Sequence, residues 1–209
     1  MKKFIFSLTM VLSVLVSLTS CGNEPKNKEN AISVHGFNGM KPEFVYYAAL
    51  DNEDGTYQHA FIISNYDFET TLSSIISNPM SIMALSIPAP TIMFTLGIAS
   101  KDATLADGKY EIKSVDDATN YFNYLYLQKD LNIASILSGG GTDWGEMLDG
   151  ITANFTVATD KKGVRSLDFS GNSSKGVVEI YYKGEFKDGQ RILELTERLS
   201  DILGNLGGM

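Results

Sequence analysis

The sequence predicts a mainly β domain, an antiparallel β-sandwich or β-barrel of about eight or nine strands closed by a C-terminal amphipathic helix. Three observations predict it. Apolar and polar residues alternate with a period of two through most of the chain after residue 31, glycine-containing turns separate the alternating runs, and one long stretch near the C-terminus has helical spacing.

The first alternating run is Glu43 to Leu50, with Phe44, Tyr46 and Ala48 on one face and Val45, Tyr47 and Ala49 on the other. Asp51-Asn52-Glu53-Asp54-Gly55 is a turn, and Tyr57 to Ser64 returns as the partner strand. Phe68 to Ser77 reads as a helical turn or two. It leads into an apolar run, Met80 to Phe94, broken by Pro88 and Pro90, which argue against a transmembrane helix and against a central strand. Thr91 to Ala99 is rich in β-formers, Asp107-Gly108 introduces a short strand at Lys109 to Lys113, and Tyr121 to Gln128 is strongly β by composition. Thr152 to Thr159, Val164 to Ser170 and Val177 to Phe186, joined by two polar turns, form a three-stranded meander. Asp-Gly pairs at 54/55, 107/108, 149/150 and 188/189 offer the positive-φ positions of tight turns. Over residues 190–206, Ile192, Leu195, Leu199, Ile202 and Leu206 recur at spacings of three and four, a single apolar stripe expected to cap the sheet or barrel mouth. The sharper alternative is a partner-binding helix.

Residues 1–20 read as a signal peptide. Lys2 and Lys3 precede an apolar run from Phe4 to Leu18 that is shorter than the roughly 20 residues a spanning helix needs. Leu18-Thr19-Ser20-Cys21 resembles the lipobox of bacterial lipoproteins, which implies a diacylglyceryl group on Cys21 and makes it the first residue of the mature chain. Cys21 is the sole cysteine, so a disulfide has no partner within the chain. Residues 21–31 then form the lipidated cysteine and a solvated tether, and residues 32–209 a single β-rich domain. Cleavage removes two lysines and no acid, leaving 15 basic against 25 acidic residues where the full chain has 17 against 25, a formal −10. That surface repels phosphate backbones and anionic headgroups, which excludes nucleic acid as a partner and leaves the acyl chains to make the membrane attachment.

Few side chains offer catalytic chemistry. With two histidines, His35 and His59, and no C-x-x-C or H-x-x-x-H spacing, the chain carries no usual zinc set, and no metal or cofactor is expected. The Asp51-to-Gly55 segment misaligns with a calcium loop and reads as a hairpin turn. His59 alternates with Tyr57, Phe61 and Ile63, which fits a hydrogen-bonded histidine at the edge of a core rather than a general base. Glycosidase-type pairs are drawn from Asp116, Asp117, Glu146, Asp149 or Glu179, most of which sit beside turns.

The segment Ser138 to Glu146 is distinctive because Trp144, the sole tryptophan, is flanked by glycines with Asp143 and Glu146 as acceptors nearby. A tryptophan face with adjacent carboxylates suits a sugar or another ring, so Trp144, Asp143 and Glu146 are candidate ligand-binding residues. Tyr124 and Tyr126, on one strand face with Phe122, join them as candidates lining a cavity if the sheet closes into a barrel. In a sandwich they are ordinary core and surface residues. Met80, Met83 and Met93 suit an adaptable apolar surface or a core equally.

Leu105-Ala106-Asp107-Gly108-Lys109-Tyr110 and the meander ending Tyr181-Tyr182-Lys183-Gly184-Glu185-Phe186, together with the Leu-Thr-Ser-Cys box, resemble uncharacterised lipoproteins of Bacteroides-type bacteria. The resemblance covers about Thr91 to Lys187, implies an outer-membrane lipoprotein with a β fold, and brings no active site. The expected function is a non-catalytic binding or envelope-structural lipoprotein, lipid-anchored at the outer membrane and taking a small ligand or glycan. The alternatives are an interaction subunit that docks a protein through the C-terminal helix or the Met80 to Phe94 segment, and an envelope glycan hydrolase.

Overall fold

In the computed structural model, residues 28–34, 37–112, 120–132, 146–147, 152–173 and 176–206 are described. Strands are numbered along the chain. One six-stranded sheet runs β2 (Phe37–Met40), β1 (Ala31–Val34), β13 (Gly176–Gly184), β12 (Arg165–Ser173), β11 (Thr152–Thr159), β7 (Gly108–Ile112). The other runs β10 (Glu146–Met147), β8 (Tyr121–Leu127), β6 (Thr91–Ser100), β4 (Tyr57–Ser64), β3 (Phe44–Asp51), β14 (Lys187–Asp188). A two-stranded ribbon pairs β5 (Ser86–Ile87) with β9 (Leu131–Asn132). The two large sheets stack as a sandwich, and among the described residues there is no closed barrel.

Period-two alternation explains the first sheet directly. Ala153, Phe155 and Val157 of β11 are buried while Thr152 and Asn154 are exposed, and Leu167 and Phe169 of β12 and Val178 and Ile180 of β13 continue the inner face. From the second sheet, Val45, Phe61, Ile63, Phe94, Leu96, Phe122, Tyr124 and Tyr126 complete one core, and Phe122 and Phe169 meet across the gap with ring centroids 4.4 Å apart. Burying each such ring contributes about 1.5–3 kcal/mol.

The second sheet is covered on its outer face as well, which is why β4 and β6 read as near-continuous apolar runs. Helix α1 (Phe68–Ser77) starts where the Asp67 carboxylate accepts the Thr70 N–H at 2.9 Å. Helix α2 (Gln190–Leu206) starts where Asp188 accepts the Gln190 N–H at 3.0 Å. The two helices pack on each other and over a second cluster of Tyr46, Ile62 and Ile192 with Phe44, Phe68, Leu72 and Leu193. Among the described residues no helix is long and apolar enough to cross a membrane.

The first hairpin, the helix at Phe68–Ser77 and the late meander form as the sequence predicts. Four expectations are corrected. The described residues hold fourteen strands rather than eight or nine, because β5, β9, β10 and β14 are only two residues long and β1 and β2 only four, all too short to show a period. Helix α2 lies on the face of a sheet beside α1 instead of capping a mouth, since a sandwich with one uncovered apolar face offers it more surface there. The prolines do not keep the following segment out of the sheet centre: Pro88 and Pro90 sit in the bend before β6, which begins at Thr91 and lies between β4 and β8. Of the four Asp-Gly glycines, Gly55 has positive φ (83°), Gly108 and Gly189 do not, and Gly150 lies outside the described residues.

Candidate functional site

The chain changes sheets once near its C-terminal end, and that crossing shapes a cleft. Strand β13 leaves the first sheet at Gly184, Glu185 and Phe186 span the gap, and β14 joins the second sheet parallel to β3, with Lys187 opposite Tyr46 and Asp188 opposite Tyr47. This parallel pairing departs from the otherwise antiparallel order. The crossing holds its path because the Tyr182 hydroxyl donates to the Glu185 carbonyl at 2.7 Å, while Phe186 packs against Phe61 and Tyr182 at centroid distances of 5.6 and 5.4 Å. Beside it, the β11–β12 turn is closed by Asp160, whose N–H reaches the Val164 carbonyl at 2.9 Å, with Gly163 at φ 81°. Between crossing and turn lies a cleft of about 350 Å³ lined by Tyr47, Gly163, Val164, Arg165, Gly184, Glu185 and Phe186.

Tyr47 and Arg165 form its polar wall. The Arg165 guanidinium sits over the Tyr47 ring, 5.4 Å from its centroid, and its Nη2 donates to the Leu105 carbonyl at 2.9 Å. The Tyr47 hydroxyl lies 2.6 Å from His59 Nδ1, and His59 Nε2 lies 2.9 Å from the Asp102 carbonyl. A carbonyl only accepts, so Nε2 carries the imidazole proton and Nδ1 accepts from the tyrosine. His59 is 0% exposed. Burial holds its pKa below the ordinary value and the Arg165 charge adds to this, against opposing effects from the Asp102 carbonyl bond and the Asp102 charge. The neutral imidazole is thus a positioning group: it fixes the Tyr47 ring on which the guanidinium rests. Its expected role as a hydrogen-bonded core histidine matches this geometry, with the residue buried rather than at the core edge.

The neighbouring charges are organised locally. Lys183 Nζ lies 2.8 Å from Asp160. That lysine's hydrogen bond, then the backbone N–H groups of Val164 and Lys162, bring the Asp160 carboxyl down to about 2. Burial raises the Tyr110 phenol, whose hydroxyl donates to the Ala106 carbonyl at 2.7 Å, and likewise raises Tyr182.

Of the residues singled out by sequence, Cys21, His35, Asp116, Asp117, Asp143, Trp144 and Asp149 lie outside the described residues. Glu146 opens β10 and pairs with Tyr126 of β8. Tyr124 and Tyr126 are buried in the core between the sheets, Tyr124 against Phe94 and Phe122 and Tyr126 against Phe37, as the sequence predicts for a sandwich. Glu179 is exposed on β13. Met80 and Met83 are 75% and 43% exposed on a 3-10 turn, Pro79–Ala84. Among the described residues no group of three or more metal-ligating side chains exists.

Sequence reading missed Arg165 and the role of Tyr47. A signal for Arg165 was present, since it has the same strand parity as buried Leu167 and Phe169, a core-facing position at which a charged residue is unusual. Set against protein-family models, curated proteins and solved structures, the chain matches none of them.

Proposed function

We propose that the chain is a membrane-anchored extracytoplasmic lipoprotein of the outer membrane, with the sandwich serving as a non-catalytic binding module and the Tyr47–Arg165 cleft as its ligand site. The observation that carries the reading is the place where the tether joins the domain. The Asn30 side chain donates to the Lys183 carbonyl at 3.1 Å and accepts the Lys183 N–H at 2.7 Å, one residue from Gly184 in the cleft wall. Lys28, 2.6 Å from Asp168, lies on the same route. Asn30 lies nine positions after Cys21, a reach of at most about 30 Å, so acyl chains on Cys21 would hold the cleft end of the sandwich toward the membrane. Two or three chains, at about 0.8 kcal/mol per buried methylene, suffice for a firm hold.

Intact-mass analysis of the native protein tests the anchor. The expected species begins at Cys21 and carries its acyl mass; a bare thiol, or a retained leader in a soluble pool, sinks the proposal. Titrating glycan and lipid libraries calorimetrically against the protein and a Tyr47→Ala variant tests the ligand site, and no binding from any class, or binding unchanged in the variant, removes it.

A second reading, docking of a partner protein through the Met80 to Phe94 segment, is favoured by the exposure of Met80 and Met83. The helical route to such docking is weaker, because Ile192 and Leu195 of the α2 stripe are buried within the domain. A photocrosslinker at position 80 should give one defined adduct in intact cells, abolished by Met83→Asp. A ladder of unrelated adducts, or none, rejects this reading.

A further inference from the structure

Arg165 carries more donor capacity than its surroundings use. It is half-buried in the cleft wall, and among the described residues no carboxylate lies within 4.0 Å of it. Among the described residues its guanidinium makes one hydrogen bond, from Nη2 to the Leu105 carbonyl, and it rests over the Tyr47 ring face. A guanidinium offers five N–H donors in a planar fork shaped for two oxygens of a carboxylate or phosphate. The nearby Lys183 is held by Asp160, so the cation facing the cleft is Arg165.

We propose that the cleft binds a small oxyanion, a carboxylate or phosphate carried on a single ring or a short apolar body, gripped by Arg165 with its body along Tyr47, Val164 and Phe186. This rests on the binding reading given above and names its ligand class. Size and charge set the limits. A volume of about 350 Å³ stands near the lower end of the range for ligand pockets, which suits one ring rather than a polymer. The chain's formal charge of −8 repels nucleic acids, polyanionic glycans and anionic bilayers, whose many charges approach the whole surface. A small anion inside the cleft responds chiefly to groups within a Debye length of about 8–10 Å. Glu185, which also lines the cleft, opposes the anion and confines it to the arginine end.

The alternative role for Arg165 is a latch that ties the Leu105 segment to β12. The two roles separate experimentally. The full chain, held in detergent, is titrated calorimetrically with galacturonate, inorganic phosphate and neutral galactose between about 50 and 200 mM salt. One anion per chain is expected to bind, more weakly as salt rises, with galactose at least about tenfold weaker than galacturonate. Arg165→Gln should weaken anion binding by about tenfold or more, while Arg165→Lys keeps the charge and loses the fork, giving an intermediate loss. Glu185→Gln should tighten it several-fold, on an exposed side chain whose removal leaves the fold intact. Thermal melts of each variant identify unfolding, and Glu185→Gln carries the test if Arg165→Gln melts early. Anion affinity that is unchanged in both Arg165→Gln and Glu185→Gln overturns the inference. Galactose binding equal to galacturonate in every variant removes the anion while leaving the cleft as a ligand site. No binding by any of the three probes removes both.

Discussion

Replacing Tyr47 with phenylalanine removes one oxygen from the cleft wall and leaves His59 Nδ1 buried without its donor. The lost bond is short, 2.6 Å, and its acceptor sits on a residue with no solvent exposure, so water cannot replace the tyrosine without opening the sandwich. A buried acceptor left unsatisfied costs about 1–3 kcal/mol. For a domain of this size, each kcal/mol moves the melting temperature by about 2–4 °C, so Tyr47→Phe should melt roughly 2–12 °C lower. The ring itself stays, with its packing on Phe61 at a centroid distance of 5.0 Å, so the loss is attributable to the hydroxyl. In urea the midpoint should fall while the m-value holds, because the same surface is exposed on unfolding. His59→Gln keeps a donor toward Asp102 and removes the Nδ1 acceptor. In that background Tyr47→Phe should cost measurably less, giving a coupling of about 0.5–3 kcal/mol in the double-mutant cycle. A Tyr47→Phe melt within about 1 °C of the parent, or strict additivity in the cycle, would refute the argued geometry.

The pH dependence of stability should follow from the same histidine: the unfolded chain protonates near the ordinary 6.5 while the fold keeps His59 neutral to lower pH. The unfolded state therefore binds more protons as pH falls from about 7 through 6.5 to the depressed folded value, stability declines across that window, and His59→Gln should flatten the slope in urea melts between about pH 7 and 5. Asp160 should titrate near 2 by side-chain NMR and move up toward 3.8 in Lys183→Met; an unmoved value would mean that the ion pair is absent in solution. Gly97→Ala should destabilise by about 1–3 kcal/mol, because a β-carbon there overlaps the Tyr121 ring lying across it from β8, and an unchanged melt would show that the ring swings aside freely. Gly189→Ala places a β-carbon 2.7 Å from the Tyr47 carbonyl carbon and 3.0 Å from the Ala48 nitrogen, atoms that cannot turn away as a side chain can. Faster amide exchange in β14 and the first turn of α2 is expected, and protection equal to the parent would contradict it.

The hairpin of β3 and β4, the β11–β12–β13 meander and both helices were legible because each is specified by a local period and a nearby turn or cap. Glu43 to Leu50 and Tyr57 to Ser64 are runs of β-formers on either side of a Gly-bearing turn; Asp67 and Asp188 cap the helices they precede. The cleft was not legible in this way. Tyr47, Arg165 and Phe186 come from three separate stretches of chain and meet because β14 pairs with β3 in parallel, a two-residue contact that leaves no periodic trace. Gly189 shows the same limit: its pairing with Asp188 reads as a turn, yet it lacks positive φ, and its missing side chain is required by the backbone of Tyr47 packed against it. The tyrosines of β8 could be placed on one face from the sequence alone, but whether that face met a cavity or a second sheet depended on closure of the whole sheet.

By itself the sequence determined the mainly β class, the local strands and helices and which of their faces are apolar, since these depend on interactions among residues close in the chain. Only the tertiary structure decided between sandwich and barrel, laid α2 over a sheet face, buried Tyr124 and Tyr126, and assembled the Tyr47–His59–Arg165 wall. Those outcomes depend on which distant strands pair, and the pairing is chosen by the total surface the finished fold can bury rather than by any one segment's pattern.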